Sequence, residues 1–297
     1  MKTSVDFLPQ RKQRDLDRLV AMIRYEIKDV VMIILYGSYA RNTFVEYDET
    51  IEYGAHMIYM SDYDILVVTE KSMKYEGSGA FSRVRNWFNE VIGISCYTYP
   101  QFINESIADL NKLISDGFYF YVDILNEGIM LYDSGKYELT KPRQLDFTEI
   151  RERAQLYYDK SFSFAEHFLN TVLAKYIDTD DITFASYYLH QAARDFLRTI
   201  PLVYDLYGYK DQDIKVLVEH CIPLTPEIKS IFPRNCPKEK HLFKLLRDAY
   251  VQAQYSREFV VTNREFEALL LKVKQLRDFV EKVCHERFDY YKRQSKK

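Results

Sequence analysis

The apolar positions change their period about half-way along the chain. Leu16, Leu19, Val20, Ile23 and Ile27 recur at helical spacing and predict a helix that ends at Lys28-Asp29. The run Val30-Val31-Met32-Ile33-Ile34-Leu35-Tyr36 follows at once, and its uninterrupted β-branched and apolar residues predict a buried strand. Asp64 to Thr69 reads as a second strand, Ser82 to Val91 as a helix, and Ile92 to Tyr99 as a third strand ended by Pro100. Glu105 to Ser115 and Tyr119 to Leu125 carry helical patterns, and Gly128 to Tyr132 reads as a short last strand. Between the first two strands, the polar-aromatic stretch Val45 to Met60 reads as an inserted hairpin. Strands interleaved with helices imply an α/β layer.

From about Phe147 only helical patterns remain. Ala185, Leu189, Ala192, Phe196 and Ile200 form one stripe. Thr262-Asn263-Arg264-Glu265 fits a capping box. Phe266, Leu269, Val273, Leu276, Val280 and Val283 continue at three-four spacing, as along a bundle seam. Pro201, Pro223, Pro226, Pro233 and Pro237 punctuate the expected connections. The break between the two patterns falls in Asp133 to Asp146, where Asp133-Ser134-Gly135-Lys136 and Lys141-Pro142 interrupt both. The expected architecture is an α+β domain with a small mixed sheet over residues 1–135, followed by an all-α helical bundle over 147–297.

Composition adds restrictions. With 47% hydrophobic and 29% charged residues, the chain can build more than one core under a charged surface. No run of about 18 uncharged apolar residues occurs, so no membrane span is expected. The start, MKTSVDFLPQRKQRD, lacks the apolar segment of a signal peptide, and a cytoplasmic protein is expected. Cys96, Cys221, Cys236 and Cys284 are scattered without CxxC pairing and read as buried free thiols in a reducing compartment. The net charge of −3 lacks the basic field of a phosphate-gripping nucleic-acid binder. The basic tail from Lys292 to Lys297 reads as a frayed, solvated end.

The chemistry concentrates where the first strand ends, at Leu35-Tyr36-Gly37-Ser38-Tyr39-Ala40-Arg41. A Gly-Ser turn between a strand and a helix start lets backbone N–H groups approach a phosphate, and the Ser38 hydroxyl adds a donor. Ser61-Asp62-Tyr63-Asp64 opens the second strand, and alternation puts Asp62 and Asp64 on one face. Two carboxylates beside a phosphate cradle can hold Mg²⁺ through hard oxygen ligands.

Gly37-Ser38 followed by Asp62-x-Asp64 resembles the nucleotidyltransferase superfamily that includes the minimal nucleotidyltransferases and kanamycin nucleotidyltransferase. The resemblance covers about residues 10 to 135. It implies metal-dependent transfer of a nucleoside monophosphate, commonly AMP from ATP, to an acceptor that is a protein, an RNA or a small molecule. It assigns Gly37 and Ser38 to the nucleoside triphosphate, and Asp62 and Asp64 to catalysis and to Mg²⁺. Two departures stand out. The 23 residues between Ser38 and Asp62 exceed the spacing usual in minimal members. The superfamily's third carboxylate is also absent from Gly93 to Tyr99, leaving Asp123 as the nearest later acid, in a helical context that favours a helix-face or capping role.

Ser186-Tyr187-Tyr188-Leu189-His190-Gln191-Ala192-Ala193-Arg194 resembles a helix of HEPN domains, with Asp248 to Tyr255 and the Thr262 helix resembling that family's later part. The likeness spans about residues 148 to 288 and implies a helical bundle that often pairs, hence a homodimer. Many HEPN domains are RNases with an Arg and a His a few residues apart. Arg234 and His241 have six residues between them, but Asn235 to Lys238 reads as a loop. The usual place of the motif, Tyr207 to Ile214, has no His. A non-cleaving bundle is expected, with His190 a hydrogen-bonded structural residue. The competing expectations are a weak nucleotide-binding or scaffolding protein, an aminoglycoside-type transferase and a HEPN RNase.

Overall fold

The computed structural model describes residues 1–52, 55–73, 76–92, 98–175 and 181–296. The chain divides into two compact units, one holding Met1–Glu52 and His56–Gln144, the other containing Leu145–Lys297. The first is α+β and the second helical.

In the first unit a four-stranded sheet runs in the order β5 (Pro100–Ser106), β4 (Tyr63–Thr69), β1 (Val30–Tyr36), β6 (Ile129–Asp133). β1 is antiparallel to both neighbours, and β4 and β5 are parallel. Parallel neighbours need a crossover, which α3 (Glu76–Ile92) supplies. Val31 to Leu35 are buried without interruption because helices cover both faces of the sheet. Ile33, Leu35, Ile65 and Val67 pack with Leu16, Leu19 and Ile23 of α1 (Gln10–Glu26) and with Val84 and Phe88 of α3. Met32, Ile34, Leu66 and Val68 pack with Leu110 and Ile114 of α4 (Ile107–Ser115) and Ile124 of α5 (Tyr119–Glu127).

The expected insertion is a separate two-stranded sheet, β2 (Asp48–Glu52) with β3 (Ala55–Tyr59). At its root, Val45 N–H donates to Ser61 Oγ and Ser61 N–H to Val45 O, both at 2.9 Å. The expected third strand is displaced. Helix α3 runs on to Ile92, residues 93–97 lie outside the described residues, and the strand begins at Pro100 instead of ending there. Proline is tolerated as the first residue of an edge strand because no ladder bond needs its missing N–H. Glu105 belongs to that strand, and Ser106, its last residue, caps α4 by accepting from Asp109 N–H at 3.1 Å.

The helical unit contains α6 (Phe147–Lys175), α7 (Ile182–Tyr204), α8 (Ile214–Cys221), a 3-10 turn over Pro226–Ser230, α9 (Pro237–Tyr255) and α10 (Asn263–Gln294). Helix α7 is central and packs on α6, α8, α9 and α10. The stripe Ala185, Leu189, Ala192, Phe196 and Ile200 is fully buried. Pro201 does not end α7, which continues to Tyr204. Its ring leaves the Leu197 carbonyl without the usual helical donor, and the Cys221 thiol takes that place at 3.3 Å. Cys221 and Cys284 are buried, but Cys236 is exposed, at the N-cap position before Pro237; Cys96 lies outside the described residues.

Thr262 and Glu265 form the capping box of α10. That helix runs through the expected frayed tail as far as Gln294, because the Tyr291 hydroxyl donates to the Val203 and Tyr204 carbonyls, each at 2.9 Å. Among the described residues, no helix is long and apolar enough to cross a membrane.

Candidate functional site

Gly37 opens α2 (Gly37–Arg41) directly after β1, with φ +75°. A Cβ on Gly37 would lie 2.1 Å from Asp64 Oδ2. The carboxylate of β4 therefore rests against the glycine backbone, in a space that only the lack of a side chain leaves open. Pairing puts Asp64 opposite Tyr36, one residue before that glycine. Ser38, half-buried, is the next residue of the turn.

The turn is held from below. Tyr39 is fully buried, stacked on Phe44 at 4.3 Å and tilted against Tyr63 at 4.7 Å. Lys12 Nζ lies 5.5 and 5.6 Å from the Tyr39 and Tyr63 ring centres and donates to Thr98 Oγ1 at 2.5 Å. Sequence reasoning missed Lys12 and its neighbour Asp15. Both fall on the buried face of α1, where a charged residue on an apolar stripe was the available signal. Burial raises the Asp15 carboxyl above its ordinary value, against the lowering charges of Arg11 and Lys12.

Asp62 and Asp64 are two residues apart, about 7 Å along a strand. Asp64 shares its sheet face with Leu66 and Val68, the face of α4 and α5. On β5 the residue in register with Asp64 is Gln101. Burial raises the Asp62 carboxyl, and the Gln101 amide opposes that shift. Tyr36 is also raised, by burial first and the Asp64 charge second.

Among the described residues, no third acid joins the pair. Glu105 lies on β5 opposite Val68, four residues beyond the Asp64 level, which is about 13 Å along a strand. Its carboxylate accepts instead from the Tyr121 hydroxyl. Asp123 sits within α5, as its helical context implies. Among the described residues, no group of three His, Cys, Asp or Glu could hold a metal ion. Two carboxylates nevertheless fit Mg²⁺, which commonly takes one or two of them and completes its shell from phosphates and water. The donors are hard oxygens, and one of them, Asp64 Oδ2, rests against the Gly37 backbone.

In the helical unit, Arg234 and His241 each have another partner. Arg234 adopts φ +47° in the loop before α9 and lies over the Phe243 ring at 4.9 Å. His241 Nε2 meets Glu265 Oε1 at 2.6 Å, joining the capping box of α10. His190 is fully buried, with Nδ1 3.0 Å from Leu246 O and its ring stacked on Tyr250 at 5.1 Å. Burial pushes its imidazole down to about 4. The loop after α7 is pinned to that helix, since Arg194 donates to Gln212 Oε1 and Arg198 to Tyr209 O, both at 2.9 Å. Within the same region His220 stacks on Tyr209 at 3.6 Å.

The central helix α7, packed on by four others, carries buried polar residues along its length. Residues 158–283 match the HEPN domain. The matched HEPN span starts within α6 and ends within α10, so it takes in the fully buried stripe of α7 and most of the α10 seam. Its Arg194, Arg198 and His190 serve internal contacts of the HEPN bundle. No curated protein matches the chain.

Proposed function

We propose that the N-terminal unit is a metal-dependent nucleotidyltransferase domain, joined to the HEPN bundle, that transfers a nucleoside monophosphate, with AMP from ATP the leading case. The observation that carries the reading is the contact of Asp64 Oδ2 with the backbone of Gly37, where a Cβ would stand at 2.1 Å. A phosphate-approaching turn and an acidic strand edge, 27 positions apart in sequence, meet there without an intervening side chain. Gly37 and Ser38 would orient the triphosphate through backbone N–H groups and the Ser38 hydroxyl. Asp62 and Asp64 would hold Mg²⁺, which when bound neutralises phosphate charge and aligns an in-line displacement. In that displacement the acceptor atom bonds to the α-phosphorus as the bond to the pyrophosphate oxygen breaks.

A second reading, nucleotide binding with little transfer, has a specific support: the described residues bring no third acid to the pair to take the acceptor's proton. Incubation of the whole chain with labelled ATP, Mg²⁺ and candidate protein, RNA and small-molecule acceptors separates the two. Label transfer or pyrophosphate release in the parent, absent from Asp62→Ala/Asp64→Ala, supports the transferase. Binding of ATP and Mg²⁺ without pyrophosphate release supports the second reading. Equal activity in parent and double variant would reject the assigned pair.

A further inference from the structure

The Lys12 side chain is only 3% exposed, and an ammonium group so placed costs free energy unless its surroundings compensate it. It meets residues from four other segments. Thr98 Oγ1 accepts from Nζ at 2.5 Å and lies 3.3 Å from the Tyr39 hydroxyl. Nζ stands over the rings of Tyr39 and Tyr63 at 5.5 and 5.6 Å. The acid that meets it, Glu46, is 3.8 Å away and 60% exposed, so water screens much of that pair. Asp15, one turn further along α1, accepts instead from the Tyr63 hydroxyl at 3.4 Å. The two tyrosines adjoin the candidate site. Tyr39 follows Ser38 in the turn, and Tyr63 separates Asp62 from Asp64, pointing to the other face of the sheet. Their rings touch at 4.7 Å, and a cation is attracted to the faces of both. Lys12 therefore draws the turn and the acidic strand together from the side away from the acids. Its buried charge, little screened by salt, also adds positive potential behind the turn.

We propose that Lys12 is a positioning residue for the nucleoside triphosphate: through Tyr39 and Tyr63 its charge holds the Gly37-Ser38 turn against the edge that bears Asp62 and Asp64, and it serves nucleotide binding rather than folding. This rests on the reading of that turn and those acids as the nucleotide site. Binding and folding are separable at this position. Replacing a buried charge by an apolar group of similar volume is often neutral or stabilising. Removing the ammonium also strands neither oxygen partner, because Glu46 is open to water and Thr98 keeps the Tyr39 hydroxyl.

The test uses the whole chain, with calorimetric titration of Mg²⁺ and a non-hydrolysable ATP analogue beside denaturant titration of each variant. Lys12→Met is expected to keep or raise the denaturation midpoint and to bind the analogue about tenfold or more weakly. Lys12→Arg keeps a cation that stacks on aromatic faces and is expected to retain most of the affinity. Thr98→Val keeps the volume, removes the oxygen that fixes the ammonium, and is expected to show the same loss in smaller measure. Asp64→Asn is expected to abolish binding. Parent-like affinity in both Lys12→Met and Thr98→Val, with binding still lost in Asp64→Asn, would refute the role of Lys12 and leave the site standing. Unchanged binding in Asp64→Asn would overturn both. A Lys12→Met chain that does not fold, or affinities that fall only in step with the midpoints, would show a structural role and would equally overturn the proposal.

Discussion

Gly37 and Gly135 share a left-handed backbone, at φ +75° and +69°, yet an added methyl group would meet different surroundings at each. At Gly135 nothing lies within 4 Å, and the residue belongs to an exposed turn in which its N–H donates to Asp133 Oδ1 at 2.8 Å. At Gly37 the methyl would stand 2.1 Å from Asp64 Oδ2. Backbone strain is similar in the two, roughly 1–2 kcal/mol for an L-residue in this region. Gly135→Ala is therefore expected to lower stability by that amount and to leave nucleotide affinity unchanged. Gly37→Ala carries the same strain and must also displace a carboxylate held between Tyr36 and Gln101, so it is expected to destabilise further and to weaken Mg-ATP binding about tenfold or more. Denaturant titration and calorimetric titration with an ATP analogue check both. Equal nucleotide affinities in the two variants would mean that the Gly37 space is not part of the binding site.

At the scale of elements, the stripe of α7 encloses a buried histidine whose proton binding sets a pH dependence. His190 falls from its ordinary value of 6.5 to about 4, through burial first and then the charge of Arg194, with the Leu246 carbonyl and Asp213 opposing. Between those values the unfolded chain holds a proton that the folded chain lacks, so stability rises with pH from about 4 to 6.5 and this contribution is flat above. The gap corresponds to roughly 3 kcal/mol. Glu265 acts lower, since Thr262 and then His241 hold its carboxyl down to about 2, and its contribution is present above pH 4.5 and lost as pH falls toward 2. His190→Phe keeps a ring against Tyr250 and removes the proton. Its unfolding free energy is expected to depend less on pH between 4.5 and 6.5 than that of the parent, and parallel curves would refute the assignment. The stripe itself was legible because i, i+3, i+4 spacing is a local signal, as it is for the seam of α10 and the runs of β1 and β4. The start of β5 was not, because a proline at an edge strand and a proline ending a strand look alike in sequence. Nor was the passage of α7 through Pro201, which depends on a thiol from α8, or the place of Gln101, which is a matter of register between strands 37 positions apart. Gly37 and Asp64 were legible as motifs, but their contact is a property of pairing across β1 and β4.

For the whole molecule, the distribution of cores decides what each unit can do alone. Every buried residue of the large helical cluster lies between Ala154 and Tyr291, and the two clusters flanking the sheet lie between Leu8 and Ile129. The helical cluster is continuous across α6, α7, α8, α9 and α10, so cutting after residue 144 removes no member of it. Each unit is also within the size at which a single core sustains a domain. Fragments 1–144 and 145–297 are accordingly expected to fold separately. The second should give a helical circular dichroism spectrum, a cooperative denaturant transition and the pH dependence of His190. The first should retain Mg-ATP binding that is lost in Asp62→Asn/Asp64→Asn. Transfer to the acceptor need not survive the cut, so a first fragment that binds nucleotide but no longer labels the acceptor would assign acceptor recognition to the HEPN bundle. A second fragment without a cooperative transition would show that its cluster is insufficient by itself, whatever the first fragment binds.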